Sequence, residues 1–310
     1  MQPLPAKRIY ASSDKFFSTI AAGVAPLLHE SFDSLGIIWS FPATIEKHTN
    51  GIDGISTVDL SKELVIPGVE KAPIGDMLIR AMREYNTALP ISLPRVVVND
   101  TAAVLLANGG NLGGIVGTGF NFAFSHGGQI YNLEAGGFSE VPQTSLTRQL
   151  DSESERPGQY LAEKQVSGKY VEDLFTRGVH ELGFDTTEKF QARDVSSILA
   201  GNYESLLQKL PSLTPDDIAL LQEQAAILVG RSAQIAASMV AGTIQEFPED
   251  FSGESITIPI EGSFFAKTPG YKEAVTRYVE ELLPEKSVSF VTVSQSGIKG
   301  AGVAALDLVK

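Results

Sequence analysis

One stretch of the sequence, residues 96–106, constrains the fold more than any other. It begins with a β-branched run, Val96–Val98, that is too short for a helix and predicts a buried strand. The chain then passes through Asn99 and Asp100 into an Ala- and Leu-rich run that predicts a helix. Open α/β sheets bind ligands at the carboxyl ends of their strands, and a carboxylate at that point is well placed for chemistry. Asp100 is therefore a candidate catalytic base.

Asp100 also has a purely structural interpretation. Aspartate is a favoured N-cap residue, and the helix predicted over residues 102–107 begins just after it. Thr101 can fill the same capping role. From these residues alone, both the cap and the catalyst interpretations stand open.

The composition limits the class of protein. The chain has 310 residues, of which 43% are hydrophobic, enough for two domains or one large α/β unit. Its net charge of −13 argues against nucleic acid or an anionic membrane as the main partner, because both select basic surfaces. The absence of cysteine excludes disulfides, thiolate metal sites and cysteine nucleophiles. Without a long apolar run or a signal peptide in the sequence, we expect a cytoplasmic protein.

Hydrophobic periodicity and turn residues predict the main elements. Residues 14–32 predict an amphipathic helix that Pro26 kinks or divides. Residues 44–73 are rich in Gly, Asp, Ser and Pro, and predict an irregular excursion with short strands. A Thr-Pro-Asp-Asp sequence at residues 214–217 predicts the start of a helix that runs to about Phe247.

A strand, a Gly or Asp turn and a helix follow one another at three places, residues 96–106, 256–275 and 288–308. This recurrence predicts an α/β fold with a largely parallel sheet. The four histidines show no spacing typical of metal ligands, so the sequence assigns no role to His29, His48, His126 and His180.

A glycine-rich segment, Gly117-Thr118-Gly119, directly follows the predicted strand Gly114–Val116. Glycines at a strand end let backbone N–H groups approach a phosphate, and the Thr hydroxyl adds one donor. The same sequence is also typical of a tight turn without a ligand.

Read in order, short motifs along the chain resemble those of the hexokinase family. They are Ser40-Phe41-Pro42, Asn99-Asp100-Thr101, Gly117-Thr118-Gly119-Phe120-Asn121, Asn132-Leu133-Glu134, Glu163-Lys164 with Ser167-Gly168-Lys169-Tyr170, Arg231-Ser232-Ala233, Glu261-Gly262-Ser263 and the terminal GIKGAGVAAL. Each motif is short, but their order is specific, and the resemblance spans the chain from about Ile9 to Leu308.

This resemblance implies an α/β, two-lobed actin-like ATPase fold of the ribonuclease H-like type. We expect residues 1–98 to form an N-terminally incomplete small lobe and residues 99–296 to form the large lobe. Residues 297–310 are expected to form a helix that returns to the small lobe.

The resemblance also implies an activity, transfer of the ATP γ-phosphate to the 6-hydroxyl of a hexose such as glucose. In that reaction Asp100 resembles the general base. The implied sugar-binding residues are Ser40, Asn99, Asp100, Asn121, Glu134 and Glu163, with Ser61 and Lys62 where the family has Thr-Lys. The implied nucleotide-binding residues are Gly117, Thr118, Gly119, Gly262 and Ser263. ATP and Mg²⁺ are the implied cofactors, with Mg²⁺ bound mainly through ATP and no protein ligand assigned to it.

The sequence departs from the family in several places. A glycine-rich hairpin of the LDLGGTN type, which in the family grips the β- and γ-phosphates, does not occur in it. Phe120 and Ala135 replace a small polar and an aromatic residue of the family motifs, and residues 60–63 lack the Trp and Gly of WTKGF. Without the first strands of the small lobe, we expect an exposed strand edge that can pair with another chain. Three explanations stand open, namely a truncated hexokinase, one half of a split enzyme, and a non-catalytic sugar-binding or regulatory homologue.

Overall fold

A computed structural model describes residues 8–57 and 64–310. The chain divides into two compact units, of which unit 1 comprises Met1–Ala107 with Gln295–Lys310 and unit 2 comprises Asn108–Ser294. Residues 99–107, which the sequence predicts to lie in the large lobe, belong to unit 1. The helix that starts at Asp100 packs closely against the C-terminal helix, which also belongs to unit 1. A Cβ at Gly300 would lie only 2.0 Å from the Ala103 carbonyl oxygen, so the backbones of the two helices are in direct contact.

Strands and helices are mixed in both units. The strands are β1 (Arg8–Ile9), β2 (Leu35–Ile38), β3 (Ala43–His48), β4 (Gly51–Ser56), β5 (Leu64–Val65), β6 (Arg95–Val98), β7 (Leu112–Val116), β8 (Phe120–His126), β9 (Gln129–Asn132), β10 (Ser255–Glu261) and β11 (Ser287–Thr292). The α-helices are α1 (Ser13–Val24), α2 (Ile74–Met82), α3 (Asp100–Asn108), α4 (Ser145–Ser152), α5 (Glu163–Val166), α6 (Gly168–Glu181), α7 (Ala192–Leu199), α8 (Glu204–Lys209), α9 (Pro215–Glu246), α10 (Ser263–Lys267), α11 (Tyr271–Leu282) and α12 (Ser296–Asp307). Short 3-10 helices occur at Ala25–His29, Val69–Lys71, Ala135–Gly137 and Pro248–Phe251.

The larger sheet of unit 1 has the strand order β2-β6-β4-β3. β2 and β6 are parallel, with Ile38 beside Val98, so their carboxyl ends lie at the same edge of the sheet. β3 and β4 form an antiparallel hairpin, so residues 44–73 contain the predicted short strands, and the first part of the segment is regular rather than irregular. α12 lies so close to β2 that a Cβ at Gly36 would come within 2.1 Å of the Ala301 carbonyl oxygen, which requires glycine there.

Helices α1 and α2 supply the apolar core of unit 1. The ring of Phe17 in α1 stacks on Trp39 with a centroid distance of 6.5 Å. The helix predicted over residues 14–32 is divided at Pro26, as predicted, because α1 ends at Val24 and a 3-10 helix follows it. Proline has no N–H to donate to the preceding turn, which accounts for this change.

A buried ion-pair network lies within the same core. Asp53 of β4 is fully buried and accepts hydrogen bonds from Arg95 Nε at 2.8 Å and from Gly75 N–H at 2.8 Å. Arg95 also pairs with Asp76. Asp53 therefore caps the N-terminus of α2 and connects that helix to two strands of the sheet.

Unit 2 is built on a five-stranded sheet with the order β11-β10-β7-β8-β9. β11, β10 and β7 are parallel, as the recurring pattern predicts, whereas β7, β8 and β9 are antiparallel. The antiparallel part arises because short connections at Gly117–Gly119 and Gly127–Gly128 reverse the chain before and after β8.

The longest helix of unit 2, α9, begins where the sequence predicts. Thr214 Oγ1 accepts from Asp217 N–H at 3.2 Å, and Asp217 in turn accepts from Thr214 N–H at 2.8 Å, a reciprocal capping box. By length and composition alone, α9 is long and apolar enough to cross a membrane. Its most apolar window is 56% buried within the unit, as in the core helix of a folded domain.

Candidate active site

The carboxyl edge shared by β2 and β6 carries candidate residues of unit 1. The Trp39 amide donates to the Val98 carbonyl at 2.9 Å, which continues the parallel pairing to the last residue of β6. Ser40 lies two residues beyond Ile38, and Asp100 lies two residues beyond Val98. The strand register therefore places Ser40 and Asp100 at the same edge of the sheet, and Ser40 is exposed there.

Two polar residues after β6 hold the start of α3. Asn99 Oδ1 accepts from Thr101 N–H at 2.9 Å, and Asp100 Oδ1 accepts from the same N–H at 2.8 Å. Asp100 is half-buried, and no residue that the structure describes donates a hydrogen bond to its second oxygen, Oδ2. Because α3 begins at Asp100, the capping position belongs to Asn99, and neither Asp100 nor Thr101 is the cap. The contact with Thr101 N–H uses one Asp100 carboxylate oxygen and leaves the other available for chemistry. The remaining candidates of unit 1, Ser61 and Lys62, lie outside the described residues.

In unit 2, Asn121, Glu134 and Glu163 meet at the turn that follows β9. Asn121 Oδ1 accepts from Ala135 N–H at 2.9 Å, and Glu134, with a φ of 48°, directly precedes that turn. Glu163 is only 4% exposed, and a Cβ at Gly136 would lie 3.2 Å from its Oε2. The structure thus brings together three residues that are far apart in the sequence.

Asn132 links two of these side chains, although the sequence did not single it out as a site residue. Its Nδ2 donates to Glu134 Oε1 at 2.6 Å, and its Oδ1 accepts from Asn121 Nδ2 at 2.6 Å. An amide supplies both a donor and an acceptor, which suits it to this bridging position. The signal available in the sequence was its place in the Asn-Leu-Glu motif.

For the hexose phosphorylation that the family resemblance implies, Asn132→Ala is expected to raise the KM for hexose about tenfold and to change kcat less than about threefold. Removing the bridge leaves Glu134 and Asn121 without a shared partner, and a hydrogen bond to a charged group contributes about 1.5 kcal/mol or more. Steady-state kinetics of sugar phosphorylation measures both constants. Asn202→Ala, which removes another exposed asparagine of unit 2, is the matched control and should leave KM unchanged. An unaltered KM in Asn132→Ala would contradict the positioning role.

A buried lysine holds the chain segment that precedes Glu163. Lys164 is 3% exposed, and its Nζ donates to Asp151 Oδ1 at 2.5 Å, Ser154 Oγ at 2.8 Å and the Arg156 carbonyl at 2.7 Å. An ammonium group has three hydrogens, and this arrangement uses all of them. The position of Glu163 is therefore supported by a complete polar network beside it.

The Gly117–Gly119 connection lies next to the end of β10. Gly117 N–H donates to the Gly119 carbonyl at 2.9 Å, whereas the N–H groups of Thr118 and Gly119 donate to no group among the described residues. A Cβ at Gly262 would lie 2.1 Å from the Val116 carbonyl oxygen, and its φ of +142° also requires glycine. The two predicted nucleotide-binding segments, which include Ser263 at the start of α10, are therefore adjacent in unit 2.

The N-terminus of α6 contacts the same connection. Gly168 N–H donates to the Gly117 carbonyl at 2.8 Å, and the Ser167 side chain is buried beside it. Lys169 lies in the first turn of α6 and adds a cation there. Helix N-termini and unengaged backbone N–H groups favour anions, so this end of unit 2 suits a polyphosphate. Lys169 belongs to the Ser167-Gly168-Lys169-Tyr170 motif, but the motif alone did not indicate a site role for this lysine.

Two departures from the hexokinase motifs are explained by packing. Phe120 is 2% exposed and packs edge-on against Phe122 at a centroid distance of 5.5 Å, so its side chain belongs to the core. Ala135 is 4% exposed and contributes its backbone N–H to Asn121.

A buried pair of hydroxyl groups connects the helices that lie behind the phosphate end of unit 2, by which we mean the Gly117–Gly119 connection and the start of α6. Ser232 Oγ donates to the Val166 carbonyl at 2.8 Å and lies 2.8 Å from the Tyr271 hydroxyl. Burial raises the pKa of Tyr271 above its usual value, because the phenolate form would lose its hydration. The pair connects α9, α11 and the residue that ends α5.

Tyr271 is expected to make the free energy of unfolding fall in strongly alkaline solution. Below pH ~10 the phenol is neutral in both the folded and the unfolded chain, so its contribution to the free energy of unfolding does not change with pH. Above that pH the unfolded chain ionises first, so the folded state loses about 1.4 kcal/mol by pH ~11. Urea unfolding at pH 8 and pH 11 measures this loss, which Tyr271→Phe should remove. Tyr85→Phe, at a tyrosine that is 46% exposed, should retain it. Equal losses in Tyr271→Phe and the unaltered chain would contradict the assignment.

Comparison with known proteins gives a consistent result. Two family models, both described as hexokinase, match residues 2–109 and 111–307. Hexokinase-2 of Rattus norvegicus is 26% identical over 312 residues, which cover 87% of this chain and 33% of that protein. The hexokinase of Schistosoma mansoni is 25% identical over 356 residues, which cover 98% of this chain and 76% of that protein. The chain thus spans about a third of the length of its mammalian relatives.

Solved structures with the same fold include two sugar complexes. The hexokinase from Schistosoma mansoni complexed with glucose matches with a TM-score of 0.80 and 22% identity, covering 98% of this chain and 78% of that one. A ROK family glucokinase from Streptomyces griseus, in complex with glucose and AMPPNP, matches with a TM-score of 0.58 and 14% identity, covering 96% and 89%. These likenesses confirm the predicted two-lobed α/β fold of the actin-like ATPase type.

Proposed function

The chain belongs to the hexokinase family, and we propose that it transfers the γ-phosphate of ATP to the 6-hydroxyl of a hexose such as glucose. The observation that carries this proposal is the placement of Asp100. It follows β6 at the edge shared with β2, is held through Oδ1 by Thr101 N–H, and has Oδ2 available. In this proposal the reaction is a cytoplasmic step of glycolysis.

Asp100 is the general base of the proposed reaction. Its Oδ2 takes the proton of the 6-hydroxyl while that oxygen attacks the γ-phosphorus and the bond from phosphorus to the ADP oxygen breaks. Phosphoryl transfer has a loose transition state, so positioning and charge neutralisation matter more than base strength. The hydrogen bond from Thr101 N–H supplies the positioning on the protein side.

The proposed hexose ligands are polar groups with two-fold hydrogen-bonding capacity. Glu134 and Glu163 each offer two carboxylate oxygens, which suits them to neighbouring sugar hydroxyls. Asn99 uses Oδ1 at the start of α3 and keeps its Nδ2 as a donor for the sugar. We assign further sugar contacts to Ser40 and Asn121, while Ser61 and Lys62 stay predictions outside the described residues. The solved relatives in complex with glucose support glucose as the first sugar to test.

The proposed nucleotide site lies at the phosphate end of unit 2. The N–H groups of Thr118 and Gly119 bind phosphate oxygens, and Gly262 with Ser263 contacts the adenosine side. The AMPPNP complex of the Streptomyces griseus relative supports a nucleotide as the phosphate donor.

Mg²⁺ enters this proposal with ATP. The donor set at the Gly117–Gly119 connection consists of N–H groups, which bind anions, so the metal would be held through the phosphate oxygens of ATP and by water. The chemistry supplied by Mg²⁺ when bound is neutralisation of the charge on the β- and γ-phosphates. Lys169, at the start of α6, adds a fixed positive charge of the protein itself.

A coupled assay with glucose and Mg-ATP, combined with calorimetric titration of glucose alone, tests the proposal. Glucose binding together with formation of glucose 6-phosphate is the expected result. Glucose binding without turnover would favour the alternative, a non-catalytic sugar-binding or regulatory protein. Failure to bind any of several hexoses would contradict both.

A further inference from the structure

We propose that His126, Glu249 and Asp250 form a binding site for Zn²⁺ on unit 2. His126 ends β8, and the two acids lie in the 3-10 helix Pro248–Phe251 that follows α9. His126 Nδ1 lies 2.7 Å from Asp250 Oδ2 and 3.7 Å from Glu249 Oε1. One ligand atom from each of the three side chains lies within 4.8 Å of the others. The two segments are far apart in the sequence, which is why spacing alone indicates no metal site.

The distances suit a tetrahedral ion. Zinc binds imidazole nitrogen and carboxylate oxygen at about 2.0–2.2 Å, so neighbouring ligand atoms of a tetrahedron lie about 3.3–3.6 Å apart. The two distances from His126, 2.7 and 3.7 Å, lie on either side of that value. Small rotations of the side chains therefore complete a three-ligand site, and water takes the fourth position.

The local charge also favours a divalent cation. Two carboxylates face one imidazole, and within the described chain no lysine or arginine forms an ion pair with Glu249 or Asp250. Lys286, on a neighbouring segment, donates instead to the carbonyl oxygens of Phe251 and Gly253 at 2.9 and 3.1 Å. With a neutral imidazole, one Zn²⁺ balances both carboxylates. The nitrogen ligand selects zinc over Mg²⁺ and Ca²⁺, which prefer oxygen alone.

Contacts around His126 and Asp250 restrict two of the three ligands before an ion binds. The His126 ring lies 5.1 Å from the Phe247 ring and 6.3 Å from the Tyr131 ring, measured between centroids. Asn111 Nδ2 donates to the Asp250 carbonyl oxygen and so holds the backbone of that ligand. Ligands that are already ordered lose less conformational entropy on binding.

A bound ion joins the end of β8 to the segment after α9. β8 begins at Phe120, beside the phosphate-end connection, and His126 lies about 20 Å farther along the extended strand. The zinc site is therefore separate from the candidate active site, and binding can be measured without catalysis.

Calorimetric titration of the full chain with ZnCl₂ at neutral pH tests the proposal. The chain has no cysteine and four histidines, so few other groups compete for the metal. One Zn²⁺ per chain should bind with a micromolar dissociation constant, and Mg²⁺ at the same concentrations should not. At a Zn²⁺ concentration ~100 times that constant, the midpoint of thermal unfolding should rise by roughly 5 °C.

Two variants and one control locate the site. His126→Gln and Asp250→Asn should each weaken zinc binding by more than about 100-fold. Loss of a partner outside the ligand shell costs up to about 100-fold in affinity, and loss of a direct ligand should cost more. His48→Gln is the control, because His48 Nε2 also faces a carboxylate, Glu46 Oε2 at 3.4 Å, but belongs to no cluster of three metal-ligating side chains among the described residues. Absence of stoichiometric zinc binding, binding that persists in folded His126→Gln and Asp250→Asn, or binding lost in His48→Gln would overturn the proposal.

Discussion

Replacing Asp100 with asparagine is expected to lower kcat for hexose phosphorylation by about 10³-fold while hexose affinity changes less than about threefold. The asparagine Oδ1 can still accept from Thr101 N–H, as the Asp100 oxygen does at 2.8 Å, and the Asn99 side chain that caps α3 is unchanged. The amide cannot take the proton of the 6-hydroxyl, so the attacking oxygen remains poorly activated. The loss therefore falls on the chemical step and spares the binding step.

Steady-state kinetics and calorimetric titration of glucose separate these two effects. Asp14→Asn is the matched control, since it also removes a carboxylate from the first turn of a helix in unit 1. That control should leave kcat unchanged. A loss of kcat in Asp100→Asn that is smaller than about tenfold would be below the range of general-base effects. In that case another group removes the proton. A parallel loss of glucose affinity would instead indicate that Asp100 acts mainly through binding.

The features that local sequence encodes were predictable. The strand that ends at Val98 and the helix that starts at Asp100 each have a clear pattern of residue types within a few positions. The start of α9 has a complete capping box, and Pro26 divides the first helix. In each case the determining interaction lies within four residues along the chain, where spacing carries the information.

Features that depend on tertiary contact were not predictable in the same way. The β3–β4 hairpin lies in a segment whose Gly, Asp and Ser content is that of a loop, and pairing with β6 stabilises it in the sheet. Asn132 meets Asn121 only when β8 and β9 pair, and His126 meets Asp250 only when the segment after α9 is in place. The site residues of unit 2 were found through their resemblance to family motifs, because no short-range pattern relates Asn121 to Glu163.

Asp53→Asn is expected to lower the free energy of unfolding by about 3–5 kcal/mol, the largest stability effect we predict for a single polar residue. Asp53 is completely buried, and its carboxylate receives Arg95 Nε at 2.8 Å together with the N–H groups of Gly75 and Asp76 at 2.8 and 3.2 Å. An amide keeps the volume but removes the charge that balances the buried guanidinium. Asp76, at the start of α2, then remains as the one carboxylate paired with Arg95 in the described chain.

Urea unfolding of Asp53→Asn and Asp307→Asn compares a buried with an exposed ion pair. Asp307 accepts from Lys310 Nζ at 2.6 Å, but both side chains are more than half exposed, so its loss should cost about 0.5 kcal/mol or less. The double change Asp53→Asn with Arg95→Met should recover part of the stability lost in Asp53→Asn, because it removes the unbalanced guanidinium while the amide oxygen can still accept from Gly75 N–H. Equal effects in Asp53→Asn and Asp307→Asn would show that burial does not set the cost. Since Arg95 begins the strand that ends before Asp100, folded Asp53→Asn should also bind hexose more weakly, which connects this core network to the proposed base.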